Sequence, residues 1–287
     1  MGKNFAPKFL LFIAFCFLII AVGVSIGVPV VSAAPDPFAV EDPYEFEIPE
    51  GYYACTTWNI LGVIVVNTDI FLGSQRHAII SMSDRDIQIA TRRFADLERT
   101  LNRMAHGQMT AVVTTLIIET PLTQASRTST TVGTAGYSPR PAHLRDLIAN
   151  YVNLQDFDHI MFFLRTQCVN AMFSIPTQWG GLYQGMLDGV HYSQVLFSAS
   201  RNCNWHNQSI FPERILVHEF IHGLERMSRA RGISIPTSID APRSLYGYGT
   251  SRAELYRFYR DYMTRNIQTS SGNIGLTPSS FIILRQK

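Results

Sequence analysis

One segment constrains this chain more than any other. His218-Glu219-Phe220-Ile221-His222 lies in a periodic stretch whose apolar positions, Ile215, Val217, Phe220, Ile221, Leu224 and Met227, supply a buried face. Its flanks mark a helix over about 212–232. Pro212 and Glu213 suit the first turn, and Gly232 follows Arg226, Arg229 and Arg231 at the negative end. Residues four apart share a helix face, so both imidazoles can reach one metal ion. Glu219 is offset by one position, where its carboxylate can touch a water at the metal without being a ligand. With eight His in 287 residues, chance gives such a pattern only about 0.008 times per chain. Two histidines that merely hydrogen-bond inside a core are the alternative.

The rest of the chain reads as an α+β domain, a mixed sheet packed on helices. Residues 58–66, 109–118 and 159–164 are apolar, largely β-branched or aromatic runs expected as strands. The clearest helix is 84–104, with Ile87, Ala90, Phe94, Leu97, Leu101 and Met104 at spacings of three and four and Gly107 just beyond. A second helix is expected over 142–152. Residues 120–141, rich in Ser, Thr, Gly and Pro, predict a long surface loop, and Trp179-Gly180-Gly181 marks another. Residues 191–198 alternate enough for a half-exposed strand. After residue 232 a tail is expected, with a helix starting near Glu254. One domain over 55–287 accommodates these elements.

Residues 1–34 read as an export signal. Lys3 and Lys8 precede an uncharged apolar run over 9–31, and Val31-Ser32-Ala33-Ala34 offers small residues for cleavage. The run is also long enough to span a bilayer, so an uncleaved membrane anchor is the alternative. Either way the domain is expected outside the cytoplasm. Residues 35–54 carry six acids, four prolines and no base, the composition of an extended linker. Beyond residue 34 the chain has 22 bases and 22 acids, which argues against nucleic acid as a partner. With Cys16 in the signal, Cys55, Cys168 and Cys203 leave one disulfide and one free thiol. Asn207-Gln208-Ser209 is an N-glycosylation sequon.

The five-residue motif and the elements before it, over about 57–265, resemble the zincin metallopeptidases. The resemblance implies zinc-dependent hydrolysis of peptide bonds, with His218 and His222 as Zn²⁺ ligands and Glu219 as general base. It also implies an edge strand just before the motif helix, here 191–198, that holds a peptide substrate as an added strand. A bridge between Cys168 and Cys203 would tether that strand. No Gly-x-x-His follows at metzincin spacing; Gly223-Leu224-Glu225 stands there instead. Glu225 either orients a zinc histidine or pairs on the surface with Arg229.

A catalytic zinc needs a third protein ligand. The candidates rank Asp240, then Glu254, then Asp261. Glu254 has the spacing of the Glu-zincins but also fits a capping box with Ser251, and Asp261 can pair with a neighbouring Arg. Asp240 leads on a further similarity, to a group of uncharacterised exported zincin-like proteins. These share His-Glu-x-x-His-x-x-Glu, a loop Asp and a Tyr-Arg-Asp-Tyr-Met segment, and carry Leu-His-Asp where Ser238-Ile239-Asp240 stands here. Tyr246 and Tyr248 are candidates for stabilising an oxyanion, by similarity to toxin-type Glu-zincins, where a Tyr precedes the third ligand. Tyrosines packed in a Gly-rich turn are the alternative. Two other functions remain open: an exported binding or adhesion protein that keeps the fold without turnover, and a closed structural zinc site using His206 or Cys203.

Overall fold

The computed structural model describes residues 56–73, 76–129, 135–165, 181–197 and 214–285. The expected export segment or anchor, the acidic linker, Cys55, Cys168, Cys203, His206 and Asn207 lie outside these residues, and with them the expected disulfide. No helix among the described residues is long and apolar enough to cross a membrane.

In chain order the strands are β1 (Thr57–Val65), β2 (Asn67–Gly73), β3 (Arg76–Ser81), β4 (Thr110–Ile118), β5 (Ala125–Ser129), β6 (Ala135–Pro139), β7 (His159–Arg165), β8 (Gly181–Leu187), β9 (Val190–Phe197), β10 (Ile267–Thr269) and β11 (Gly272–Ile274). The helices are α1 (Asp84–Met104), α2 (Pro141–Ile148), α3 (Arg214–Ala230), α4 (Arg252–Met263) and α5 (Pro278–Arg285). Five strands form the main sheet in the order β4-β1-β7-β9-β8. β1 pairs in parallel with β4 and β7, and β7 in parallel with β9. Only β8 runs antiparallel, against β9. The protein is therefore a mixed α+β fold on a mostly parallel sheet.

Parallel strands covered on both faces read as continuous apolar runs, which explains why β1 and β7 were legible without alternation. On one face, Trp58, Ile60 and Ile64 of β1 join Met161 and Phe163 of β7 under α1, α3, α4 and α5. On the other, Leu61, Val63 and Val65 meet Ile160 and Phe162, with Leu144, Leu147 and Ile148 of α2. α1 follows its apolar period to the residue and begins in a capping box between Ser83 and Asp86. It packs closely because Gly62 has no side chain: a Cβ there would lie 2.7 Å from the Phe94 ring.

Four expectations need correction. The stretch 120–141 holds the hairpin β5–β6, paired from Ala125↔Pro139 to Ser129↔Ala135; its polar sequence gives backbone pairing no apolar signature. The expected helix 142–152 is shorter, ending at Ile148. The chain after residue 232 is no tail, since Leu255, Phe258, Tyr259, Tyr262, Phe281 and Leu284 are buried in the same core as Trp58 and Phe220. Finally, 191–198 is not an edge. β9 is hydrogen-bonded on both sides, to β7 and to β8, so its backbone has no open side for a peptide. Among the described residues the sheet edge beside β9 is β8.

Candidate metal centre

α3 carries His218 and His222 with Ile215, Val217, Phe220, Ile221, Leu224 and Met227 turned into the core. It ends where Gly232 takes a positive φ of 67°, a conformation that suits glycine. Its central turn is also bound to the sheet. Ser193 of β9 donates its hydroxyl proton to the Glu219 carbonyl (3.1 Å), leaving its oxygen to accept from the His159 Nε2–H (2.9 Å). His159 is fully buried, edge-on to Phe220. Burial, with His191 nearby, pushes its pKa down to about 3, so it is neutral.

Beyond α3 the chain turns back and brings Asp240 onto the two histidines. His218 Nε2 and His222 Nε2 lie 3.1 Å apart. Asp240 reaches His218 Nε2 with Oδ1 (3.2 Å) and His222 Nε2 with Oδ2 (3.3 Å). These three residues form a group that could hold a metal ion. The histidines are largely enclosed, whereas the Asp240 side chain is 53% exposed, so the cluster opens to solvent on that side.

Each imidazole is fixed through its other nitrogen. His218 Nδ1 is 2.7 Å from the hydroxyl of Tyr259, a buried residue of α4. His222 Nδ1 is 3.0 Å from Glu225 Oε2. Glu225 also pairs with Arg229, though from a buried position rather than on the surface. Without metal, the cluster is an ion pair. Burial opposes a charge on His222, but hydrogen bonds to Asp240 and Glu225 outweigh it and lift the imidazole to about 9. The bonds from His218 and His222 hold the Asp240 carboxyl well below the usual carboxylate range, despite its partial burial. Glu219 is 2% exposed, and its charge is close enough to His222 to contribute to that rise.

The other candidates are engaged elsewhere. Glu254 is not in the cluster: its amide caps onto Ser251 Oγ (3.2 Å) and its carboxylate accepts from the Gly249 N–H (3.2 Å). The expected capping box is thus half formed, with the Glu254 side chain tying the preceding turn instead. Asp261, also outside the cluster, is buried against Arg260 and the Tyr248 hydroxyl. Tyr248 is 6% exposed and gives its proton to Asp261 at 2.8 Å. Burial and then that bond push its phenol well up. It has no proton to spare for an oxyanion. Tyr246 accepts the Thr237 N–H (3.1 Å), which makes it a support of the loop carrying Asp240.

No family model, curated protein or solved structure matches the chain.

The sequence reading missed Tyr259 and the His159–Ser193 pair. Tyr259 is one of twelve Tyr and shares a buried α4 face with Leu255, Phe258 and Tyr262, so periodicity marks it only as core. Ser193 meets Glu219 across 26 residues, a contact that only the sheet order creates.

Proposed function

We propose that the protein is a zinc metallopeptidase of zincin type, in which His218, His222 and Asp240 hold Zn²⁺ and Glu219 is the general base. The observation that carries this reading is the spacing of the three donors. A tetrahedral zinc with ligands at about 2.0–2.1 Å separates them by roughly 3.3–3.4 Å. Here the two Nε2 atoms lie 3.1 Å apart, and each is 3.2 or 3.3 Å from a different oxygen of the Asp240 carboxylate. Two imidazoles and one carboxylate are a set that zinc accepts, and the exposed side of Asp240 leaves room for a fourth ligand.

A zinc ion bound there would supply Lewis acidity, acidifying water and polarising a peptide carbonyl. The chain does the rest. Tyr259 and Glu225 hold the two imidazoles with Nε2 toward the ion position. Glu219, on the turn between them, accepts the proton of the attacking water and passes it to the departing amine. The Ser193 bond to its carbonyl keeps that turn in register with the sheet. An extended peptide would add a strand at β8, the sheet edge beside β9 among the described residues, which runs antiparallel to β9 and packs beside α3. The apolar, base-led segment 1–34 supports action outside the cytoplasm.

Zinc content and cleavage of a peptide library, measured on wild type and Glu219→Gln, test the proposal. The variant should keep zinc and lose turnover. Retained turnover removes Glu219 as the base, and zinc binding by a wild type that cleaves nothing leaves a binding protein instead.

A further inference from the structure

The three proposed ligands come from two elements. His218 and His222 sit on α3, but Asp240 sits on the loop that follows it, where nothing in the helix itself fixes its position. Two α3 side chains, Glu225 and Arg229, tie that loop to the helix. Glu225 lies one turn beyond His222 and is 4% exposed. Its Oε2 accepts from His222 Nδ1 at 3.0 Å. Its Oε1 accepts the backbone N–H of Ile239, the residue directly before Asp240, at 3.2 Å. Arg229, one turn further along the same stripe, donates to Oε1 and to the Thr237 carbonyl. Tyr246 takes the Thr237 N–H, and Ser238 Oγ takes the Asp240 N–H at 3.1 Å.

We infer that Glu225 is a positioning residue that couples two of the three metal ligands, holding the His222 ring with one oxygen and the peptide before Asp240 with the other. The inference rests on the metal reading above. Accepting from Nδ1–H leaves His222 Nε2 bare and able to bind a metal. Accepting from Ile239 N–H sets where the Asp240 side chain starts. Both bonds need an acceptor, and only a carboxylate offers two acceptor oxygens at this separation. Glutamine has one. It can keep the Ile239 bond and turn its NH₂ to His222, which forces the proton onto Nε2, or it can keep His222 and lose the loop. Aspartate is one methylene too short to span both. A surface partner of Arg229 would need neither property.

The test is a double-mutant cycle on Zn²⁺ affinity, read by competition with a chelating dye, using Glu225→Gln and Asp240→Ala singly and together. Loss of an outer partner to a metal histidine typically weakens binding by about 10–100-fold. Glu225→Gln should fall in that range in the presence of Asp240. In the Asp240→Ala background the loss should shrink several-fold, because the part exerted through the loop has no ligand left to position. Circular dichroism and a melt in chelator confirm that each variant folds. Should the double variant fail to fold, the Co²⁺ absorption spectrum of Glu225→Gln must differ from that of wild type if the ligand geometry has changed. Unchanged zinc affinity in Glu225→Gln overturns the inference while leaving the metal centre standing. Equal fold losses in the two backgrounds overturn the coupling. A wild type that takes up no zinc refutes the metal reading first, and the inference with it.

Discussion

Acid should destabilise this protein through His159 by an amount that can be worked out from its surroundings. The imidazole is fully buried, and its Nε2–H is spent on Ser193. Its pKa is depressed from 6.5 to about 3, so between these values the unfolded chain binds a proton that the native state refuses. Stability contributed by the neutral ring is present above pH 6.5 and is lost as pH falls toward 3. Integrating that linkage from pH 7 to pH 5 gives a loss of about 2 kcal/mol from this residue alone. The assay is urea unfolding with chelator present at both pH values, on wild type and His159→Gln. Glutamine keeps a donor for Ser193 but does not titrate, and the other ionisable groups are common to both proteins. The wild type should lose about 2 kcal/mol more than the variant. Equal losses would mean that His159 is hydrated or already protonated, and the burial argument fails.

Other outcomes follow from the same contacts. In metal-free protein, NMR titration of His222 should give a pKa near 9; the stability this charge adds is full below 6.5 and disappears as pH rises through 9. A value near 6.5 would break the ion pair with Asp240. Asp240→Ala should reduce zinc affinity at least about 10-fold, whereas Glu254→Ala, at the helix cap, should leave it unchanged; chelator competition on both decides between these carboxylates. Gly62→Ala should cost about 1–3 kcal/mol in chemical denaturation, since the new methyl meets the Phe94 ring at 2.7 Å. A neutral result would show that α1 is free to shift.

What was legible in the sequence was what local period and burial determine. α1 and α3 declare themselves by apolar spacing, and β1 and β7 by runs buried on both faces. The two histidines follow from helix geometry once α3 exists. Non-local information was not legible. Nothing near 191–198 tells that Gly181–Leu187 will pair outside it. Leu255, Phe258 and Tyr262 carry a helical period, but only the packed structure shows that α4 shares a core with α3 and brings Tyr259 to His218. The three candidate third ligands, Asp240, Glu254 and Asp261, differ in sequence mainly in their distance from His222. Asp240 is brought in by a loop whose course depends on Glu225, Arg229 and Tyr246, and Glu254 is held away by the helix start it caps.

The proposed chemistry requires one ion held by His218, His222 and Asp240. Zinc K-edge X-ray absorption of the purified protein, with metal quantified on the same sample, tests it most directly. One zinc per chain is expected, in a shell of nitrogen and oxygen at about 2.0–2.1 Å with scattering from two imidazoles. A sulfur shell near about 2.3 Å would bring a cysteine into the site. That result, or a protein that takes up no zinc, contradicts the account.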